Sequence, residues 1–286
     1  MNPPESANAA PVDERQVRLA RSKQTFTQVQ LTDLFHAPDW FPGTHGPMPD
    51  IVAHGRPPDV YACGYCHSPS GQGRPENSSL AGLPAAYIEQ QVADFKGGAR
   101  RSPWHGPYRP PDLMIHLATF ADAAEVAAAA RYFSQQRLGQ RVRVMERARV
   151  PQSQVVGWVY AANPKGGDEA LGERLLEFAP NPTRHESRDD TMRYVAYAPV
   201  GSIVRGHSLA ERPTLGCVSC HGPALRGAGL IPGLAGRSPS YLLRQMLAFK
   251  VGARQGAAGA PMQPVMASLQ LRDMIDAAAC AASLPP

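Results

Sequence analysis

The chain has 286 residues, of which 43% are hydrophobic, and a formal net charge of +5 at pH 7. This length exceeds the usual size of one domain, and the hydrophobic content suffices for ordinary cores. No apolar run reaches the roughly eighteen residues that a membrane helix needs, and no run of like charges indicates a nucleic-acid-binding surface.

The N-terminal segment is polar. Residues 1–23 lack the hydrophobic stretch of a secretory signal peptide. We expect residues 1 to about 25 to form a flexible arm. The following stretch contains Trp40, Phe41 and several histidines but no clear amphipathic helix, and only residues 51–55 resemble a later segment, residues 203–206.

Two pentapeptides, residues 63–67 and 217–221, contain four of the five cysteines, and each reads Cys-x-x-Cys-His. Two thiols separated by two residues can each form a thioether with one vinyl group of the same porphyrin, and the next histidine can bind the iron. The sequence therefore predicts two covalently bound c-type haems (iron). Their expected attachment and proximal residues are Cys63, Cys66 and His67 for the first haem, and Cys217, Cys220 and His221 for the second.

Paired cysteines are also typical of two other kinds of site, which are alternatives to haem attachment here. Four thiolates could bind one zinc ion, and a single pair could form a thioredoxin-like redox centre. The zinc site would join positions more than 150 residues apart and leave His67 and His221 without a role. The redox pair prefers a parallel α/β pattern, which is not evident here, so haem is the favoured interpretation.

The surroundings of the two motifs repeat. A shift of 154 residues superimposes one motif on the other, and 15 of the 38 positions from Cys63 to Arg100 are then identical. The longest matches are Leu80-Ala81-Gly82 with Leu234-Ala235-Gly236, and Gly98-Ala99-Arg100 with Gly252-Ala253-Arg254. This ungapped register indicates a duplicated domain with one haem motif in each copy.

A helix is expected after each motif. Ser238 is a good N-cap, and Pro84 and Pro239 suit a first helical turn. In each copy three residues share one helix face by their spacing: Tyr87, Gln91 and Phe95, then Tyr241, Gln245 and Phe249. Gly98 and Gly252 should end these helices. We expect the nearby cations to offset the helix dipole rather than to bind haem propionates or an acidic partner: Lys96, Arg100, Lys250 and Arg254.

Methionines that could bind iron on the distal side precede a helical run in each copy. Met114 lies eighteen residues before Tyr132 in the expected helix 122–134, and Met262 lies eighteen before Cys280 in the expected helix 270–284. These matched offsets favour Met114 and Met262, and we interpret Met266 as core packing. The competitors at the first haem are three histidines: His116, then His54 and His105.

Some sixty residues separate the two copies, and their pattern is that of β structure. Alternation predicts strands at residues 141–144, 155–160 and 193–197, with a turn at 164–167 and a possible strand at 173–178. We expect a small antiparallel sheet that acts as a rigid brace rather than as a docking surface. Trp158 is either a buried anchor or a contact for a partner.

These residues together resemble class I cytochrome c domains, in particular the di-haem periplasmic cytochromes of the cytochrome c-four type. The resemblance implies that His67 and Met114 are the axial ligands of the first haem iron, and His221 and Met262 those of the second. It also implies that a proline carbonyl orients the proximal imidazole. Pro232 matches that position, whereas Ser78 occupies it in the first copy. Cys280 stands where the family usually has an aromatic residue, and we expect it to be buried.

The expected fold is mainly α: two class I cytochrome c domains in tandem, with a small antiparallel β insertion between them. The predicted segments are an extension at 1–43, a first cytochrome domain at 44–138, a β-rich insert at 139–199 and a second cytochrome domain at 200–286.

The resemblance implies a periplasmic electron carrier that is not an enzyme, with its export signal absent from this chain. Its redox partners would be a dehydrogenase or quinol-oxidising complex as donor and an acceptor such as a terminal oxidase. One alternative is a di-haem peroxidase, which needs an open distal site in place of Met114 and would use His105 or His116 in acid–base chemistry. The other is a cytochrome subunit of a dehydrogenase complex.

Overall fold

The computed structural model describes residues 14–103 and 110–286. Its N-terminal part is folded from residue 16 onward: β1 (Gln16–Arg18) and β2 (Thr25–Thr27) pair as an antiparallel hairpin, where the sequence predicts a flexible arm to about residue 25. The short helix α1 (Gln28–Thr32) begins at Thr27, whose hydroxyl accepts a hydrogen bond from the Gln30 amide. Buried Trp40 then anchors this segment, because its indole N–H donates to the Ser187 carbonyl at 2.7 Å.

The first half of the molecule is helical. Its elements are a 3-10 turn (Pro42–Thr44), α2 (Asp50–Ala53), α3 (Cys63–His67), α4 (Ala85–Lys96), α5 (Pro110–Phe120) and α6 (Ala123–Ser134). The expected helix at 122–134 is confirmed, and Asp122 caps it by accepting from the Glu125 amide. Val52, Val60 and Phe133 are fully buried in the core that these helices share.

The segment between the halves, hereafter the insert, contains seven strands and one short helix. They are β3 (Val142–Glu146), β4 (Arg149–Pro151), β5 (Ser153–Val156), β6 (Val159–Ala162), β7 (Asp168–Ala170), β8 (Leu176–Phe178), α7 (Pro182–Glu186) and β9 (Tyr194–Ala198).

The insert forms a five-stranded sheet in the order β3-β9-β8-β6-β5, beside a separate β4-β7 pair. The expectation of an antiparallel sheet is wrong in part, because β3 pairs with β9, and β6 with β8, in parallel. Alternation identified the strands but not their partners. The expected strand at 155–160 is in fact the β5–β6 hairpin, which turns at Gly157.

The second half repeats the helical plan with α8 (Ser202–Ala210), α9 (Cys217–His221), a 3-10 turn (Pro223–Leu225), α10 (Pro239–Lys250), a 3-10 turn (Ala257–Gly259), α11 (Met262–Ser268) and α12 (Leu271–Ser283). The Ser238 cap is confirmed, since its hydroxyl accepts from the Tyr241 amide at 3.2 Å. Cys280 is buried in α12, as expected. α8 has nine residues whereas α2 has four, so the first half lacks the long helix that crosses α12 in the second.

Two acidic side chains join the insert to the second half. Glu146 accepts a hydrogen bond from the Ile203 amide at 2.7 Å, in the first turn of α8. Glu177 accepts from the Ser240 amide and from both the Ser238 and Ser240 hydroxyls at the start of α10. A carboxylate at a helix N-terminus meets free amides and the positive end of the helix dipole, so both contacts fix the insert to this half.

The two halves also exchange equivalent arginines. Arg100 donates to the Tyr241 hydroxyl and the Gln245 amide oxygen of the other half, at 2.9 and 2.8 Å. Its repeat equivalent, Arg254, donates to Tyr87 and Gln91 at 2.9 and 2.5 Å. These arginines therefore lie in the contact between the halves, and the prediction that they only offset a helix dipole is wrong for both.

Candidate haem-binding sites

The first motif forms a single helical turn, α3, in which the two cysteines lie three residues apart on neighbouring positions of one face. His67 follows in the same turn, and its Nδ1 lies 2.8 Å from the Ser78 carbonyl oxygen. That carbonyl can only accept, so Nδ1 carries the proton and Nε2 is left with the lone pair that binds a metal. The cysteine and histidine positions therefore fit a thioether-linked haem with a proximal imidazole.

The second motif, α9, has the same geometry. The Nδ1 atom of His221 lies 2.8 Å from the Pro232 carbonyl oxygen, eleven residues further along as in the first copy. Ser78 can replace a proline here because a main-chain carbonyl does not depend on the side chain. The support expected for the second histidine is thus present for both.

A tight loop joins each motif to the carbonyl, of Ser78 or Pro232, that its histidine ring contacts. The Gly73 amide donates to the His67 carbonyl at 2.9 Å, and the Gly227 amide to the His221 carbonyl at 2.6 Å. Both glycines have positive φ (68° and 94°), and a Cβ on either would collide with the returning backbone. Glycine is therefore required at these two matched positions.

Burial sets the protonation of these groups. It lowers the pKa of His67 and of His221, each opposed by the hydrogen bond to the carbonyl, so both imidazoles are neutral at pH 7 as iron ligation requires. Burial likewise raises the pKa of the Cys63 thiol to about 12. A thiol of that kind is a poor free nucleophile, which argues against the redox-pair interpretation.

The zinc interpretation finds no support in the described ranges, 14–103 and 110–286, where no cluster of three or more His, Cys, Asp or Glu side chains could hold a metal ion. The two cysteine pairs lie in separate halves of the molecule.

The methionines proposed for the distal side lie on different kinds of element. Met114 is half-buried on α5, and Met262 is the half-buried first residue of α11. Met266 is buried among Phe249, Leu269 and Met274, an apolar cluster that Met262 borders.

The competing histidines have other contacts or fall outside the description. His116 stacks on Tyr61 with ring centroids 5.5 Å apart, and its Nε2 lies 3.3 Å from an oxygen of Asp59. The His54 ring lies 6.0 Å from that of His36. His105 lies outside the described residues.

One functional neighbourhood was missed by the sequence analysis. The Arg188 guanidinium, from the insert, lies 3.3 Å from the centroid of the Tyr65 ring inside the first motif. It also donates to the Tyr65 and Leu31 carbonyls, at 2.9 and 3.0 Å. No local pattern marks an arginine more than 120 residues away as part of a haem site.

No family model matches the chain. A thiosulfate dehydrogenase electron acceptor from Thiomonas intermedia is 28% identical over 203 residues, which cover 70% of this chain and 68% of that protein. Cytochrome c-554(548) from Halomonas halodenitrificans is 37% identical over 76 residues, covering 26% of this chain and 92% of that one. The chain belongs to the c-type cytochromes, and its two Cys-x-x-Cys-His motifs make it a di-haem member.

Solved structures agree with this family. Cytochrome c4 from Acidithiobacillus ferrooxidans has a TM-score of 0.50 at 20% identity, over 78% of this chain and 98% of that one. Thiosulfate dehydrogenase from Marichromatium purpuratum has a TM-score of 0.53 at 26% identity, over 79% of this chain but only 37% of that chain. The fold of this di-haem cytochrome is thus that of two class I cytochrome c domains.

Membership in the family gives the chemistry. The protein carries covalently bound c-type haems at its two Cys-x-x-Cys-His motifs and is an electron-transfer cytochrome. In the parts of the chain that the structure describes, no helix is long and apolar enough to cross a lipid bilayer.

Proposed function

We propose that this cytochrome is a periplasmic carrier that takes single electrons from a dehydrogenase and passes them to an acceptor such as a terminal oxidase. The observation that carries the proposal is the matched pair of His–carbonyl contacts, which equips both motifs for permanent iron ligation. The name of the Thiomonas intermedia relative, a thiosulfate dehydrogenase electron acceptor, makes thiosulfate dehydrogenase the first candidate donor.

The proposed domain plan follows the repeat. Residues 1–43 form an extension, 44–138 the first haem domain, 139–199 the insert and 200–286 the second haem domain. The hydrogen bonds of Glu146 and Glu177 to the second domain, and of Arg188 to the first, support the interpretation of the insert as a rigid brace.

The proposed axial pairs are His67 with Met114 and His221 with Met262. When bound, the haems supply reversible one-electron chemistry at iron. The chain supplies the ligands and keeps both imidazoles neutral and oriented. Two occupied axial positions leave the ligand set unchanged between oxidation states, which suits a carrier rather than an enzyme that must open a distal site.

The ligand assignment is tested by the near-infrared absorption band that methionine ligation gives to ferric haem. We expect the wild-type protein to show two equivalents of this band, and Met114→Ala and Met262→Ala each to remove half of it. Met266→Ala is the matched control and should leave the band intact. A band lost in the control would contradict the assignment of Met262 as the distal ligand of the second haem. One equivalent or none in the wild type, together with rapid turnover of hydrogen peroxide, would instead support a peroxidase.

The donor class is tested separately. Purified cytochrome is mixed with thiosulfate and catalytic amounts of thiosulfate dehydrogenase from Stutzerimonas stutzeri, a species that also has a relative of this chain, 28% identical over 204 residues. We expect both haems to become reduced at a rate proportional to enzyme concentration. Haem that stays oxidised, while dithionite still reduces it, would exclude this dehydrogenase as the donor.

A further inference from the structure

The two haem motifs are equivalent in sequence but not in surroundings. Tyr65, the third residue of the first motif, is 7% exposed and lies under the Arg188 guanidinium. Its repeat equivalent, Ser219, is exposed. Leu34 of the extension and Arg188 of the insert pack around the first motif, whereas within residues 14–103 and 110–286 neither segment covers Ser219.

The same asymmetry extends to the loop that follows each motif. Each loop forms a four-residue hairpin closed by an isolated β-bridge, Arg74 with Asn77 in the first copy and Ala228 with Ile231 in the second. In the first copy Arg74 donates to the His185 carbonyl at 3.0 Å, and Glu76, 6% exposed, lies 3.5 Å from the His185 ring nitrogen. The first hairpin is therefore packed into the insert.

The second hairpin presents apolar side chains to solvent instead. Leu230, the equivalent of Glu76, is 69% exposed, and Ile231, the equivalent of Asn77, is 38% exposed. The hairpin of the second copy therefore exposes a leucine beside an isoleucine, whereas the hairpin of the first copy is charged and buried. Two adjacent exposed apolar side chains depart locally from ordinary surface composition. We define the open face as Ser219, Leu230 and Ile231.

Cations border the open face. Exposed Arg212 lies in the turn that leads into α9, since the Leu215 amide donates to its carbonyl. Exposed Arg226 lies between the motif and the hairpin and donates to the Pro285 carbonyl at 3.4 Å. Neither forms an ion pair with a carboxylate within residues 14–103 and 110–286. The equivalent of Arg226 in the first copy is Gln72, which is buried and binds the start of the insert.

We propose that the open face is the docking surface for the redox partner, a protein with an apolar centre and an acidic rim around its own cofactor. Electrons from the donor enter at the second haem and reach the first through the protein. This inference rests on the proposed function and adds to it the site and the chemistry of the partner. An apolar centre supplies affinity, and an arginine rim orients an acidic partner and speeds its approach.

The surface is tested first with a probe that needs no partner. Hexacyanochromate(III), a paramagnetic and redox-inert trianion, is titrated into the holoprotein while amide resonances are followed by NMR. We expect broadening at Ser219, Leu230 and Ile231, and little at the equivalent residues Tyr65, Glu76 and Asn77. Equal broadening at both motifs, or broadening confined to the first, would overturn the proposal.

The second test measures the rate of reduction by the Stutzerimonas stutzeri thiosulfate dehydrogenase with thiosulfate. Leu230→Glu, which installs the residue of the first copy, should lower the second-order rate constant by about tenfold, and Leu230→Gln by less, because it adds no repulsion. The control is Val155→Glu on β5, where the wild-type valine is 66% exposed; this variant should react like the wild type.

Three readings separate the outcomes. Unchanged haem potentials and unchanged dithionite kinetics in Leu230→Glu assign the loss to docking. A slow Val155→Glu with a normal Leu230→Glu would move the docking surface to the insert and overturn the inference. A wild type that this enzyme does not reduce refutes the proposed donor alone, and the trianion titration then decides the surface.

Discussion

Arg188 sets a fixed positive charge against the first haem motif. Burial lowers the pKa of its guanidinium, yet arginine stays protonated throughout the physiological range. Its positive charge acts on the Cys66 side chain, and its guanidinium stacks on the Tyr65 ring. Among the residues that the structure describes, no equivalent cation covers Ser219 in the second motif, and Ser219 is exposed. The two haems therefore experience different electrostatic surroundings.

We expect Arg188→Met to lower the midpoint potential of the first haem and leave that of the second unchanged, because a nearby cation favours ferrous over ferric iron. A charge within about 10 Å at an effective dielectric constant of about 20 is worth on the order of 1–2 kcal/mol. Spectroelectrochemical titration of both haems measures the shift. Arg188→Lys retains the charge and should keep the potential; a change in the lysine variant alone would contradict this explanation.

His185 is held neutral inside the insert. Its Nδ1 lies 3.0 Å from the Tyr194 hydroxyl, and its Nε2 accepts from the Arg74 guanidinium at 2.6 Å. Burial, followed by the charge of Arg74, lowers the pKa of His185 to about 4. Burial alone would raise the pKa of nearby Glu76, but the positive charge of Arg74 opposes it and the net shift is downward.

This histidine predicts a pH dependence of stability. Between about pH 6.5 and pH 4 the unfolded chain binds a proton at His185 that the folded chain does not, so the free energy of unfolding falls as the pH falls through this window. The loss amounts to on the order of 3 kcal/mol at its limit. Urea unfolding at pH 7 and pH 5 measures it. His185→Asn, which does not titrate, should show a smaller difference between the two pH values; an equal difference would refute the assignment.

At the residue scale, the sequence predicted what local chemistry encodes. The cysteines and the proximal histidines follow from spacing within one motif, and the resemblance to class I cytochromes c added the Pro232 carbonyl. Arg188 and His185 could not be predicted, because their roles depend on contacts with Tyr65 and Arg74, which lie more than 100 residues away in the chain.

At the scale of elements, the crossing of α8 and α12 depends on one glycine. A Cβ at Gly206 would overlap the Asp276 carbonyl and the Cys280 Cβ. The small Cys280 side chain, where the first half has Tyr132, belongs to the same close approach. Arg205 strengthens the crossing by pairing with Asp276 through two hydrogen bonds of 2.7 and 2.8 Å.

We expect Gly206→Ala to destabilise the protein by about 1–3 kcal/mol, because the added methyl group must push two helices apart. Chemical denaturation followed by circular dichroism measures the change. Gly167→Ala is the control, since nothing lies within 4 Å of a Cβ built there, and its effect should be close to zero. Comparable losses in both variants would show that helix crowding is not the cause.

The elements themselves were largely predictable. The Ser238 cap and the helical runs expected at 122–134 and 270–284 located three of the helices. The sheet was predictable only as strands, because the parallel pairing of β3 with β9 joins segments about fifty residues apart and leaves no mark in either. Strand pairing depends on the whole fold rather than on local alternation.

At the scale of the whole molecule, the exchanged arginines make the two halves mutually dependent. Arg100 and Arg254 each complete the hydrogen bonding of a tyrosine and a glutamine in the other half. Arg237 adds a third crossing, donating to the Ser79 and Ala81 carbonyls of the first half at 2.9 and 3.1 Å. Removing one of these buried donors leaves acceptors without partners.

We expect Arg254→Met to separate the unfolding of the halves, so that a single calorimetric transition becomes two. The Tyr87 hydroxyl loses its donor, at a cost of about 1–3 kcal/mol, whereas the Gln91 amide oxygen keeps its hydrogen bond from Arg100 at 3.0 Å. Arg131→Met on the exposed surface of α6 serves as the control and should keep the wild-type profile. One cooperative transition in Arg254→Met would show that the halves stay coupled without the Arg254 contacts.

The parallel register of β3 and β9 has a consequence for the route of the chain. Val142 lies beside Tyr194 and Glu146 beside Ala198. The chain therefore enters this strand pair at Val142 and leaves it at Ala198, one strand length away, which is about 16 Å for five residues. An insert whose first and last residues lay side by side, as in a hairpin, could be removed by fusing those two residues. Here a shortened protein would need a spacer long enough to cover that displacement, or its halves would be pulled out of alignment.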